Sequence, residues 1–376
     1  TGSTVTPGTI TANGDPTAST DSPFDDPAGF VFGDAGDQNV IKCGSVTLPS
    51  GETNIAAYLG FEPQWLMFKQ SDGTDDWDIY DTMRGWRYNK PSDGSSGSIA
   101  ETLEPNTSDA EANRWQATSL RSTGFHLDGV GSGSKTFIYL AIRRPDGYVG
   151  KPPELGTDVF AMDYGNASST SSIATYDSGF PVGFSIRRQP ATSQSWYASS
   201  RLTGTKSVTT DTSDAEVNDS NLTWDRNDGV GKWSGDLSSY LMWMWKRHAG
   251  FDVVTYEGDG VSGRQISHSM NKTPEMIWIK TRNQAYSWIA GHKGLNGGNN
   301  PWGYALHLDR DEAEEDVSNR WNDTAPTSTA FTVGNHNFVN SSGNEFIAML
   351  FASVDGISSV GSFVGNSSST GPVITT

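Results

Sequence analysis

Apolar residues along this chain come in short alternating runs, and none of the runs is long or helical in period. Trp65-Leu66-Met67-Phe68-Lys69 reads as a strand. It follows Glu62-Pro63-Gln64 and precedes Trp77 and Arg84-Gly85. The same order of features returns twice. Phe180-Pro181-Val182-Gly183-Phe184-Ser185-Ile186-Arg187 is followed by Trp196 and Arg201. Thr273-Pro274-Glu275-Met276-Ile277-Trp278-Ile279-Lys280 is followed by Trp288 and Lys293. A proline, an apolar run closing on a base, a tryptophan and a second base therefore define a unit. The third run alternates weakly, which predicts a central strand apolar on both faces.

Other landmarks keep the same spacing. Opening strands are predicted over residues 39–43, 158–165 and 252–258, and closing strands over 137–144, 240–247 and 346–352. Thr107-Ser108-Asp109-Ala110-Glu111 recurs letter for letter as residues 212–216, and Asp311-Glu312-Ala313-Glu314 stands in the same slot of the third unit. Asp followed by Ala and Glu predicts a short helical turn beside each marker tryptophan, Trp115, Trp224 and Trp321. A period of about one hundred residues is the size of a domain, not of a solenoid turn. The division expected is an extended arm or linker over 1–36 and β-sandwich repeats over 37–155, 156–249 and 250–355. An orphan opening strand of a fourth unit, or a tail, follows over 356–376. The fold class is all-β: three tandem β-sandwich, jelly-roll-like units.

Composition narrows this picture. The chain has 376 residues, 42 glycines and 13 tryptophans, and is 34% hydrophobic but 11% aromatic, so its cores should lean on large rings. The first 36 residues are too poor in apolar groups to bury a core. A net charge of −18 argues against nucleic acid as a partner, because phosphate binding needs clustered bases. The longest strongly apolar stretch, residues 240–245, is far too short for membrane insertion. One cysteine, Cys43, permits no disulfide within the chain and suits folding in a reducing cytoplasm. It reads as a small, buried or half-buried strand residue. The first twenty residues carry no secretion signal.

Candidate chemistry is sparse. Asp72, Asp75, Asp76 and Asp78 crowd one loop, and Asp309, Asp311, Glu312, Glu314, Glu315 and Asp316 another, without an EF-hand pattern. They read as solvated turns. The histidines, His126, His248, His268, His292, His307 and His336, show no metal-ligand spacing. There is no GxSxG motif, no P-loop and no marked carboxylate pair, so no catalytic residue, metal ligand or cofactor is expected. The second base of each unit, Arg84, Arg201 or Lys293, is expected to meet the acidic segment of its own unit. Trp86, Tyr88, Trp302 and Tyr304 sit in polar loops beside those bases in units one and three. They are the candidate glycan or interface contacts.

Several stretches carry a resemblance. Phe137-Ile138-Tyr139-Leu140-Ala141-Ile142-Arg143-Arg144-Pro145-Asp146-Gly147 resembles a repeat segment of virion structural, tail-fibre-like proteins of marine tailed phages. So do residues 243–256, Lys272-Thr273-Pro274-Glu275-Met276-Ile277-Trp278, residues 291–298 and residues 348–357. The resemblance spans roughly residues 37 to 376 and implies a virion location, with folding in the host cytoplasm. It implies a non-enzymatic structural or host-contacting appendage, tail-fibre-like or decorating the particle. Its partners would be other virion proteins, copies of itself and host surface carbohydrate. The residues leave two other readings open: a polysaccharide depolymerase, and a cellular lectin or adhesin.

Overall fold

The computed structural model describes residues 40–87, 101–113, 118–128, 133–144, 153–167, 175–219, 221–232 and 236–374. The arm expected over 1–36, Tyr88 and the marker Trp115 lie outside these residues.

The β-rich, turn-rich sequence folds as antiparallel sheets, and the all-β expectation holds. The first large sheet runs in the order Ile41–Leu48, Lys135–Arg143, Pro63–Gln70, Asp78–Asp81. The third runs Phe251–Glu257, Glu345–Phe351, Met276–Thr281, Ile289–His292. The second begins the same way, with Phe160–Tyr164, Leu241–Trp245, Phe184–Arg188 and Tyr197–Ser200. Lys206–Thr209 and Val217–Asn218 extend it. In each, the opening strand pairs with the closing strand, and the closing strand with the run that follows the proline.

Register is shared too. Trp65, Phe184 and Met276 stand opposite Ile142, Trp245 and Phe351. Those three residues also face Ile41, Phe160 and Phe251 of the opening strands. Lys69, Arg188 and Lys280 are likewise equivalent, opposite Ile138, Leu241 and Ile347. The in-register base of the second sheet is thus Arg188, one residue beyond the Arg187 that closes the motif in the sequence.

A smaller sheet accompanies each large one. In the third stretch it pairs Arg264–Ser267 with Ala330–Val333. Ile266, Phe331 and Val333 share a buried core with Val254, Ile277, Ile279, Phe346 and Leu350 of the large sheet. Side chains of that size contribute roughly 1.5–3 kcal/mol each when fully buried. Met276–Thr281 is interior to its sheet and buried on both faces, with Ile277, Ile279 and Lys280 all 0% exposed.

Two local expectations are corrected. No helical turn forms at Thr107–Glu111, at Thr212–Glu216 or over 311–314. Each segment is instead the loop of a short hairpin: Glu101–Thr102 with Ala112–Asn113, Lys206–Thr209 with Val217–Asn218, Tyr304–Ala305 with Glu315–Asp316. Thr107 and Thr212 explain why. Their Oγ1 atoms accept from the amides of Asp109 and Asp214, each at 3.3 Å, a local turn that competes with helix. A four-residue helix does form at Ser318–Trp321, placing Trp321 at 0% exposure. Cys43 is exposed rather than buried, on the edge strand of the first sheet. The terminal stretch, 359–374, pairs with no strand among the described residues and is mostly exposed.

The large sheets also meet one another. Phe251, Val253, Ile347 and Met349 point away from the third sheet's own core and are buried with Phe184, Ala198, Leu202 and Val208. Ring centroids of Phe184 and Phe251 lie 5.9 Å apart. Among the described residues the equivalent face of the first sheet is more open, with Ile41 45% and Ile138 39% exposed and Trp65, Met67, Leu140 and Ile142 half-buried. No helix among the described residues is long and apolar enough to cross a membrane.

Candidate functional site

Glu62 precedes the first motif proline, Arg144 and Arg247 lie just beyond closing strands, and Asp252 lies in the third opening strand. The fold gathers all four at one point. Arg247 donates to both Glu62 oxygens at 2.5 and 2.8 Å and to Asp252 at 2.7 Å. Arg144 donates to Asp252 at 2.8 Å and lies 3.3 Å from Glu62. Glu62 is 3% and Asp252 1% exposed. Burial alone would raise the Asp252 carboxyl, but the Arg144 and Arg247 guanidinium groups outweigh it and hold the pKa far below the usual carboxylate range. The same two carboxylates, against the cost of burial, hold Arg247 charged. With both acids saturated by guanidinium donors and shut from solvent, the cluster is suited to locking three stretches of chain together, not to passing protons.

Beside this junction lies an apolar groove of about 1050 Å³ between the second and third sheets. Leu155, Phe160, Met162, Trp245, Phe351 and Ile357 line it, and Leu155 and Met162 are each 61% exposed. His248 is the one titratable side chain among its described lining residues. The Nδ1 atom of His248 accepts from the Gly250 amide at 3.1 Å. Burial, reinforced by Lys246, pushes this imidazole down to about 4. The sign follows. An unfolded histidine protonates near pH 6.5 and the native one near 4, so His248 contributes its full stability above pH 6.5 and loses it between 6.5 and 4. By pH 5 the loss is about 1–2 kcal/mol. His248→Gln should flatten that part of the slope between pH 7 and 5 in urea unfolding, while an unchanged slope would show a solvated imidazole. Asp128 acts in the opposite sense, because burial lifts its carboxyl to about 7.

The four aromatic candidates do not converge. Trp86 is 0% exposed, and its indole donates to the Thr118 carbonyl at 3.1 Å. Trp302 is 5% exposed and packs edge-on against Trp321 at 5.5 Å. Both rings are core, which corrects the expectation that they are glycan or interface contacts: their apolar area is worth more inside than in a polar loop. Tyr304 is half-buried in its short strand, and Tyr88 lies outside the described residues.

The acidic loops behave as turn and cap groups. Asp72 accepts from the Thr136 amide, Asp76 from Asn106, Asp309 from the Trp288 amide and Glu314 from the Asn296 amide. Of the second bases, Arg84 meets Glu111 at 2.9 Å, as expected, and also Asp81. Arg201 instead donates to the backbone carbonyls of Val182, Trp224 and Arg226, and Lys293 pairs with Glu275 at 2.6 Å. The four-residue junction escapes sequence reasoning because its members lie up to 190 positions apart, between Glu62 and Asp252. The one visible hint is the basic pair that ends two closing strands, Arg143-Arg144 and Lys246-Arg247.

A family model described as "Domain of unknown function (DUF7483)" matches residues 40–144 and 164–376. No curated protein and no solved structure matches the chain.

Proposed function

The chain belongs to the DUF7483 family, and from that premise, which carries no activity, we propose a non-enzymatic structural protein that assembles with copies of itself. The observation that carries this reading is the open face of the first sheet. Ile41, Trp65 and Ile142 there are register equivalents of Phe251, Met276 and Phe351. In the third sheet that face is covered, within the chain, by the Phe184 and Val208 face of the second. A like surface in a neighbouring copy is the partner chemistry the open face fits. The phage resemblance supports placing such an assembly on a virion, as a fibre or decoration in contact with other virion proteins. Host surface carbohydrate, if bound, would need a surface other than Trp86 and Trp302.

Self-association is the test. Light scattering across a concentration series should show a defined oligomer. Met67→Glu with Ile138→Glu should weaken it at least about 100-fold, since each removes an apolar side chain worth roughly 1.5–3 kcal/mol when buried. The unfolding midpoint of the dissociated chain should stay where it is. A chain that is monomeric at every concentration, or an oligomer indifferent to both substitutions, would sink the proposal.

A further inference from the structure

We infer that the hairpin loop of the third stretch is a divalent-cation site, with His307 Nε2 and the carboxylates of Glu312 and Glu315 as its ligands. Strands Tyr304–Ala305 and Glu315–Asp316 are antiparallel, and Ala305 stands opposite Glu315. His307 lies two residues beyond Ala305, so backbone alternation returns it to the side of the ladder that Glu315 uses. Glu312 closes from the loop between them. One ligand atom from each of the three lies within 4.8 Å of the others.

The imidazole is the decisive member. Its side chain is only 4% exposed, although the loop it joins is solvated. Its Nδ1 sits 3.2 Å from the Trp288 carbonyl oxygen. A carbonyl can only accept, so Nδ1 is the donor there and Nε2 is the ring atom turned toward the loop. Nε2 lies 3.9 Å from the Glu315 carboxylate, beyond hydrogen-bond reach. A cation placed between Nε2 and the carboxylates would be reached by all three side chains. A backbone carbonyl holding the far nitrogen is also how metal-ligating histidines are oriented.

The donor set selects the ion. One imidazole and two carboxylates suit zinc or a similar transition metal, whereas calcium takes oxygen ligands throughout. Bonds of about 2.0–2.2 Å require the ligand atoms to draw together by up to about 1.5 Å. Glu312 and Glu315 are 51% and 41% exposed and free to do so. Two cations already stand nearby: Arg310 lies 3.4 Å from Glu312, and the Arg320 charge acts on Glu315. They compete with a bound cation for the two carboxylates. The spacing His-x4-Glu-x2-Glu fits no familiar metal motif, and so the loop reads from sequence as a run of solvated acids.

Zinc chloride titrated calorimetrically into the chelator-treated full chain is the test, with calcium chloride as control. One zinc per chain should bind, with calcium far weaker. Glu315→Gln, a surface change that leaves the fold intact, should lower zinc affinity at least 10-fold, and His307→Gln about 100-fold. Zinc should also raise the thermal midpoint of the wild type and not that of Glu315→Gln. Absence of zinc binding would overturn the site, as would wild-type affinity in both variants. A proton on His307 Nε2 at pH 7, read from ¹⁵N shifts, would overturn it too, because the gap would then hold an ordinary ion pair.

Discussion

Arg247→Ala is expected to cost about 3–5 kcal/mol of unfolding free energy, the range for breaking a buried ion pair from one side. The substitution leaves Glu62, 3% exposed, with Arg144 alone at 3.3 Å. It strips Asp252 to Arg144 and the amides of Val253 and Ser269. The cost is the burial of charge no longer balanced, not the worth of the hydrogen bonds that Arg247 made. Because the four residues come from three stretches of chain, the transition should also change shape. Guanidinium unfolding followed by circular dichroism and by tryptophan fluorescence should coincide in the wild type and separate in the variant. A loss under about 1 kcal/mol would mean that water reaches the cluster and that it couples nothing. Acid gives an independent view. The Asp252 pKa is depressed in the fold, so its contribution is present above the unfolded carboxylate value near 4 and is lost as pH falls below it. The His248 effect lies higher, between 6.5 and 4, which keeps the two apart.

Trp288→Ala should be as damaging, at about 3–5 kcal/mol. The ring is 0% exposed within the core that spans the second and third sheets. Its indole donates across that boundary to the Thr209 carbonyl at 2.7 Å. Trp288→Phe separates the two contributions. It keeps most of the apolar surface and leaves the Thr209 oxygen unpaired, for an expected loss of about 1–3 kcal/mol. Equal losses for alanine and phenylalanine, measured by urea unfolding, would mean that the hydrogen bond and not the ring holds the boundary. Lys280 makes the same boundary polar: its ammonium, 0% exposed, donates to the Ser213 carbonyl at 3.1 Å and to that of Tyr286 at 2.8 Å. Burial pulls this lysine down to about 8.

The candidate sites were legible in the sequence to different degrees. The acidic slot was visible as a letter-for-letter recurrence, but its conformation was not. Ser-Asp-Ala-Glu carries helix-start chemistry, and the preceding threonine carries turn chemistry. The strand pairs flanking each copy favour the turn, and nothing in the five letters announces that. Trp86 and Trp302 failed for a related reason. Glycine and asparagine neighbours mark a loop, yet a loop can fold its one large ring inward when a core lies beneath it. The junction left only the hint of its two basic pairs, and the His307 cluster none, because each depends on which strands pair and in what register.

By itself, then, the sequence determined the alternation, the turns, the recurrence and the aromatic weighting of the cores. These are local properties, set by side-chain period and turn chemistry within a few residues. The tertiary structure alone decided how units stack, which sheet face stays open and where charge is buried. Those outcomes rest on contacts such as Glu62 with Arg247 and Trp288 with Thr209, whose partners stand 185 and 79 residues apart. Burial in them is a property of the neighbour, and no short window of sequence contains it. The proline-led run that marks each unit owes its pattern to the first kind of cause and its shared register to the second.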